Sequence, residues 1–288
     1  MTGQQGELID QDLVTGWWAT DISRIRPGEI AFHGYPIEQL IGRAGFAEMV
    51  WLMLTGELPD RARGRLLEAA LVSAVDHGPQ APSIAAARMA ATCGVGLNNA
   101  IATGVNLLGD VHGGAGQQCM QVLAAIRDRV ADGASIAETV EQTLAEHKAA
   151  RRHVPGFGHR FHPRDPRRDP LIGLLQQAVQ DGLVSGDYLA IGLELEAQLA
   201  QGRAKPVPMN IDGATALIYA ELGFEPELGR ALFVLSRSVG IMAHAWEEKQ
   251  SGARIKGPIP RPLLADYTGP ELRDVPAADD ARLPEDFD

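Results

Sequence analysis

Apolar residues recur at three- and four-residue intervals along most of this chain, and that periodicity makes helices its dominant predicted element. Over residues 61–77, Leu66, Leu67, Ala70, Leu71, Ala74 and Val75 share one helix face, with Asp60 placed to cap the start. Residues 83–108 are rich in Ala, Met, Val and Leu and admit Gly94, Gly96 and Gly104, which predicts deeply buried, closely packed core helices. Ile136, Val140, Leu144 and His147 repeat at helical spacing behind Ser135 and Glu138, a capping box opening a surface helix. Further helices are predicted over residues 171–180, 185–201, 214–222 and 226–250. Short strands are hinted only over 13–24 and 30–32, with Pro27-Gly28-Glu29 as their turn. There is no internal repeat, phosphate-loop signature or strand–Gly-rich–helix unit, which disfavours a dinucleotide-binding or nucleotide-hydrolysing fold.

Composition narrows the class. The 288 residues allow one large domain or a main domain with a smaller one. With 45% hydrophobic and 22% charged residues the chain reads as a soluble globular protein. No apolar run approaches the roughly 18 residues of a membrane span, so no membrane partner is expected. The opening Met1-Thr2-Gly3-Gln4-Gln5-Gly6-Glu7 lacks the features of a secretory signal, and a cytoplasmic location is expected. Cys93 and Cys119 fit neither a disulfide framework nor a metal cluster and are expected as reduced core thiols. The stretch from Val275 to Asp280 is acidic and poor in large apolar residues, as a mobile tail would be.

A formal charge of −11 argues against a nucleic-acid partner. Within this acidic chain Arg151, Arg152, His153, Arg160, His162, Arg164, Arg167 and Arg168 form one basic stretch suited to a small anion. A solvated charged loop is the plainer alternative.

Three glycine-rich segments carry the candidate chemistry: Gly109-Asp110-Val111-His112-Gly113-Gly114-Ala115, Val154-Pro155-Gly156-Phe157-Gly158-His159-Arg160 and Met209-Asn210-Ile211-Asp212-Gly213. Glycine lets the backbone turn sharply and a ligand approach closely, so these segments suggest an acid/base site assembled from distant parts of the chain. Taken singly, Asp212 could cap a helix starting near Ala214, and His112 could pack beneath Gly113-Gly114. His77, in Asp76-His77-Gly78-Pro79, could be a helix-end cation.

In this order the segments resemble the citrate synthase superfamily, which includes citrate synthases and citryl-CoA lyases. Gly34-Tyr35-Pro36-Ile37-Glu38-Gln39-Leu40, Phe46-Ala47-Glu48 and Leu54-Thr55-Gly56-Glu57-Leu58-Pro59 look like its opening, and Ser236-Arg237-Ser238-Val239-Gly240 with Ala243-His244 like its late helix. The resemblance implies an all-α, citrate synthase-like fold with at most a short N-terminal β-hairpin. A large domain of residues 1–112 and 224–288 and a small one of 113–223 would flank the active-site cleft of a homodimer.

By the same resemblance Asp212 takes a proton from the acyl-CoA methyl group, neutral His112 hydrogen-bonds the thioester oxygen, and His159 polarises the keto oxygen of an oxo acid. His77, Arg167, Arg237 and Arg261 would bind the dicarboxylate. The coenzyme A end would meet Val154, Gly156, Phe157, Gly158, Arg160 and Arg164. No metal and no tightly bound cofactor is implied; the coenzyme A thioester is the substrate.

The compact Asp76-His77-Gly78-Pro79 and Asn210-Ile211-Asp212-Gly213 segments resemble the citryl-CoA lyase branch, whereas His112 is kept as in the synthases. Where synthases carry Arg-Pro-Arg before a late Tyr, this chain has Arg261-Pro262-Leu263-Leu264-Ala265-Asp266-Tyr267. The expected activity is therefore citryl-CoA cleavage, with citrate synthesis or a catalytically silent CoA-binding subunit as alternatives.

Overall fold

The computed structural model describes residues 16–159, 162–202, 205, 207–260 and 262–275. Arg160, Arg261, residues 13–15 of the expected first strand and residues 276–280 of the acidic stretch lie outside the described residues.

A small antiparallel sheet comes first, in the order β1 (Ser23–Arg26), β2 (Glu29–Phe32) and β3 (Tyr35–Pro36). Ser23 pairs with Phe32 and Arg26 with Glu29 across the Pro27-Gly28 turn, where Gly28 takes the left-handed φ of 77° that the tight reversal requires. The first strand thus starts at Ser23, later than the pattern over 13–24 suggested, because only four residues of β2 are available to pair with it.

The rest is helical: α1 (Ile37–Leu40), α2 (Phe46–Thr55), α3 (Arg61–Ser73), α4 (Pro82–Ala91), α5 (Leu97–Val105), α6 (Ala115–Ala131), α7 (Ile136–Ala149), α8 (Arg168–Gln180), α9 (Asp187–Ala200), α10 (Ile211–Glu221) and α11 (Pro226–Gln250). Local signals set several of these starts. The Asp60 carboxylate accepts the N–H groups of Ala62 and Arg63, and Ser135 Oγ accepts that of Glu138. Pro226 begins α11, where a missing N–H costs nothing.

Helix α10 is apolar on every face and is buried from Gly213 to Ala220. It packs against α3, α6, α8 and α9, so the side chains of its first turn are fixed from several directions. Leu217, Leu123, Leu175 and Leu195 are almost wholly inaccessible in this core. Each such side chain contributes about 1.5–3 kcal/mol of hydrophobic stabilisation. A second cluster joins α4, α5 and α11 through Ile84, Ala87, Ala100 and Ile241.

Two expectations need correction. The 83–108 region buries only one face: Ile84, Ala87, Ala100 and Gly104 are inside, while Asn98, Asn99 and Leu107 are exposed, since α11 covers a single side. Cys119 is a core thiol, but Cys93 is exposed because it lies just past the end of α4.

Candidate active site

Two loops distant in sequence are stitched together around Asn210. The N–H of Asn210 donates to Gly156 O (3.0 Å), its Nδ2 to Gly158 O (2.7 Å), and Gly158 N–H donates to Pro208 O (2.7 Å). Gly156 has φ of 84°, and a Cβ there would stand 2.7 Å from Cys119 Sγ and 2.8 Å from Gly213 Cα. A side chain at Gly213 would press on Gly156 and Met209 in turn. The compactness of the Asp212-Gly213 pair is therefore a packing requirement of the loop that carries His159.

Asn210 also caps α10, its Oδ1 accepting from the N–H groups of Asp212 (2.9 Å) and Gly213 (3.2 Å). Asp212 is thus not the cap. The residue as a whole is half-buried, but its carboxyl is enclosed in the first helical turn, near the positive end of the helix dipole. Burial nevertheless lifts its pKa above the usual carboxylate value; Arg237 and Arg167 pull the other way, and Asp165 adds to the rise.

Asp165, absent from the sequence-based candidates, is the structural hinge of this region. One carboxylate oxygen accepts Arg167 N–H (3.0 Å) and Nε (2.9 Å); the other accepts Arg167 Nη2 (2.9 Å) and the N–H of Ile211 (3.1 Å). Arg167 is therefore held bidentately by its own chain, with Nη1 toward Ser73 O (3.5 Å). The clue in the sequence was the Asp-Pro turn signal of Asp165-Pro166-Arg167.

Burial opposes ionisation of Asp165, but its hydrogen bonds from Arg167 and Ile211 win and hold the pKa at about 2. A depressed carboxylate stabilises the fold above its ordinary value of 3.8, and that contribution is lost as pH falls toward about 2. Asp165→Asn should accordingly lower neutral-pH stability by about 2 kcal/mol. Chemical denaturation at pH 7 and pH 3 checks this: the gap between variant and wild type should narrow at the lower pH, and a constant gap contradicts the assignment.

The histidine tautomers follow from main-chain donors. Ser83 N–H, in the first turn of α4 where helix N–H groups have no intrahelical acceptor, donates to His112 Nε2 (3.3 Å), and Ser83 Oγ lies 3.0 Å from the same nitrogen. A backbone N–H can only donate, so Nε2 is the acceptor and the proton of the neutral ring sits on Nδ1. Burial and Arg237 keep the His112 pKa below the ordinary histidine value. His162 N–H likewise donates to His159 Nδ1 (3.0 Å), which places the neutral-ring proton of His159 on Nε2. Burial, then His162 and Arg167, lower the His159 pKa against the pull of Asp165.

His77 stands edge-to-face with His159, ring centres 5.8 Å apart. It lies in the connection after α3 and not at that helix's end, and burial, Arg167, Arg237 and His159 lower its pKa. Arg237 is buried on α11, where its Nε donates to Ala74 O (3.0 Å) and its guanidinium lies 4.9 Å from the Phe233 ring centre. Burial lowers its pKa while Asp212 and Asp76 oppose, and the guanidinium stays charged.

The basic stretch is less open to a ligand than its composition suggested. Arg164 pairs with Asp169 (2.7 Å), and Arg168 pairs with Asp169 (2.9 Å) and Glu196. Glu196 in turn accepts the N–H of Met209 (2.8 Å), so Arg168 braces the segment leading to Asp212. Val154 and Gly158 are half-buried and Phe157 is buried, bridged to Met209.

Two neutral histidine donors, a buried carboxyl and two arginines within each other's electrostatic reach can take a proton from carbon and hold an anionic partner. The profile described as "Citrate synthase, C-terminal domain" matches residues 14–65 and 59–263, and the chain belongs to the citrate synthase family. Among solved structures, the citryl-CoA lyase of Hydrogenobacter thermophilus is 32% identical, covering 90% of this chain and 98% of that one, with a TM-score of 0.78. The ATP citrate lyase of Methanothrix soehngenii shares the fold at 20% identity and a TM-score of 0.74, over 93% of this chain and 47% of that one. The citrate synthase of Acidithiobacillus ferridurans is 30% identical over 78% of this chain, which spans 56% of that relative's length. The chain thus covers about half the length of the curated relatives it matches.

Proposed function

We propose that this protein makes and breaks the carbon–carbon bond between acetyl-CoA and oxaloacetate or a close oxo acid, working in the direction of citryl-CoA cleavage. The observation that carries this reading is the pairing of two fixed neutral tautomers, His112 with Nδ1–H and His159 with Nε2–H, with the buried carboxyl of Asp212. In cleavage the tertiary hydroxyl of citryl-CoA loses its proton and the C–C electron pair moves onto the acetyl carbon. His112 steadies the thioester oxygen of the resulting enolate, and protonated Asp212 returns a proton to the methylene. The hydroxyl proton is released to water and Asp212 is re-protonated from water before the next turnover, so the proton lost by the hydroxyl equals the one gained by the methyl group. His159 steadies the oxo-acid oxygen, while His77, Arg237 and Arg167 hold the dicarboxylate.

The lyase direction draws support from the Hydrogenobacter protein, whose length this chain matches almost fully. Val154, Gly156, Phe157, Gly158 and Arg164 remain the proposed coenzyme A contacts. Residues 113–223 would close as a unit on the remainder, and positive-φ glycines at both junctions, Gly113 (103°) and Gly223 (84°), support that division. Exposed Val239, Met242 and Trp246 along α11 support a homodimer contact, and two free cysteines fit a reducing cytoplasm. Among the described residues no helix is long and apolar enough to cross a membrane.

The test is to incubate the purified protein with citryl-CoA and, separately, with acetyl-CoA plus oxaloacetate. Acetyl-CoA and oxaloacetate should form from the first without free citrate. Free citrate as the main product of either reaction would make the protein a synthase, and no turnover of either would leave the silent-subunit reading.

A further inference from the structure

The end of α3 and the loop after it, which presents His77, hang from one face of α11 by a ladder of contacts. Ser236 Oγ donates to Leu71 O (2.5 Å), Arg237 Nε to Ala74 O (3.0 Å) and Gly240 N–H to Val75 O (3.1 Å). His244 Nε2 then meets Asp76 Oδ1 at 3.3 Å. Positions 236, 240 and 244 are successive turns on one helix face. The glycine at 240 is required there, since a Cβ would stand 2.8 Å from Asp76 Oδ1 and 3.2 Å from its Cα.

The last rung is oriented from behind. Arg88 Nη1 lies 3.0 Å from His244 Nδ1 and can only donate, so Nδ1 accepts and the Nε2 proton points at Asp76. Arg88 is itself fixed by Glu247 and buried Glu248, each at 2.5 Å, and Lys256 Nζ completes the set at 2.8 Å from Glu248. The second Asp76 oxygen accepts the N–H of Gly78 (3.0 Å), closing a turn around His77. Burial disfavours the Asp76 charge, yet Gly78 and His244 together keep its pKa below the usual value.

We propose that His244, clasped by Arg88, is a positioning residue: through Asp76 it fixes the turn that aims His77 at the oxo-acid carboxylate. The ligand half of this inference rests on the function proposed above. Neither Arg88 nor His244 touches substrate, and their contribution is the fixed geometry of residues 76–78.

Glutamine offers both a donor and an acceptor, so His244→Gln can span Arg88 and Asp76, whereas His244→Ala cannot. Loss of one charged hydrogen bond should weaken oxaloacetate binding in His244→Ala roughly tenfold by calorimetry, with the KM for acetyl-CoA in methyl exchange changed less than about twofold. Amide hydrogen exchange at Gly78, measured without substrates, should speed up in the same variant. His244→Gln should recover most of both effects. Equal losses for both substrates, or no rescue by glutamine, would make His244 a plain fold residue. Unchanged Gly78 exchange in His244→Ala would refute the clamp by itself. A wild type that binds no oxaloacetate would instead refute the functional reading, and with it the ligand half of the proposal.

Discussion

Asp212→Asn should lose methyl proton exchange and citryl-CoA cleavage by a factor of about 10² to 10⁴, the usual range for removing a positioned acid or base. The same substitution should leave stability unchanged or raise it. The Asp212 pKa is raised in the folded state by burial, so ionising this carboxyl works against the fold above that pKa, and a neutral amide removes the opposition. Loss of activity with a thermal midpoint at or above wild type would separate chemistry from folding. The pH dependence carries a sign as well. Cleavage needs the protonated carboxyl, so its rate should fall as pH rises through the Asp212 pKa, and condensation, which needs the carboxylate, should fall as pH drops through it. Initial rates in both directions across pH 4 to 8 check this, and parallel profiles would remove Asp212 from the proton transfer.

His159→Ala should separate two half-reactions that Asp212→Asn removes together. The His159 Nε2 proton is directed by the His162 N–H on its other nitrogen, and its proposed partner is the oxygen of the oxo acid, not the thioester. Cleavage of citryl-CoA should therefore fall by about 10² to 10⁴, while exchange at the acetyl-CoA methyl stays within about tenfold of wild type. Mass spectrometry of deuterated acetyl-CoA and a coupled assay for oxaloacetate give both rates on one preparation. Equal loss of both would mean that His159 chiefly holds the 156–159 loop in place.

What the chain announces in its sequence and what it hides divide along a physical line. The Asp60 cap, the Ser135 cap, the Gly28 turn and the Pro226 start are short-range choices, so reading neighbouring residues locates them, although Glu138 bonds the Ser135 hydroxyl and does not close the expected capping box. Among the described residues the first strand begins only at Ser23, since the four residues of β2 pair with Ser23 to Arg26 and leave none for the apolar residues 17, 18 and 22. Burial of residues 83–108 was overstated for a related reason, since composition does not reveal that α11 covers only one side.

At the site the three glycine-rich segments were legible, but their partners were not. Ser83 meets His112 across 29 positions, and Arg237 meets the Ala74 carbonyl across 163, contacts that exist only once helices have packed. The capping alternative for Asp212 arises because it stands near a helix start; Asn210, two residues earlier, takes that part. Arg167 reads in sequence as an open carboxylate ligand, and only the fold reveals Asp165 clamped to it from two residues away.

On the proposed function, His112, His159 and Asp212 act together as one carbon-acid site. Its most direct test follows deuterium in the methyl group of labelled acetyl-CoA incubated with the wild-type protein, with and without oxaloacetate. Catalysed washout of the label is expected, and it should disappear in Asp212→Asn. Washout no faster than in buffer for the wild type, under conditions where it binds acetyl-CoA, would contradict it.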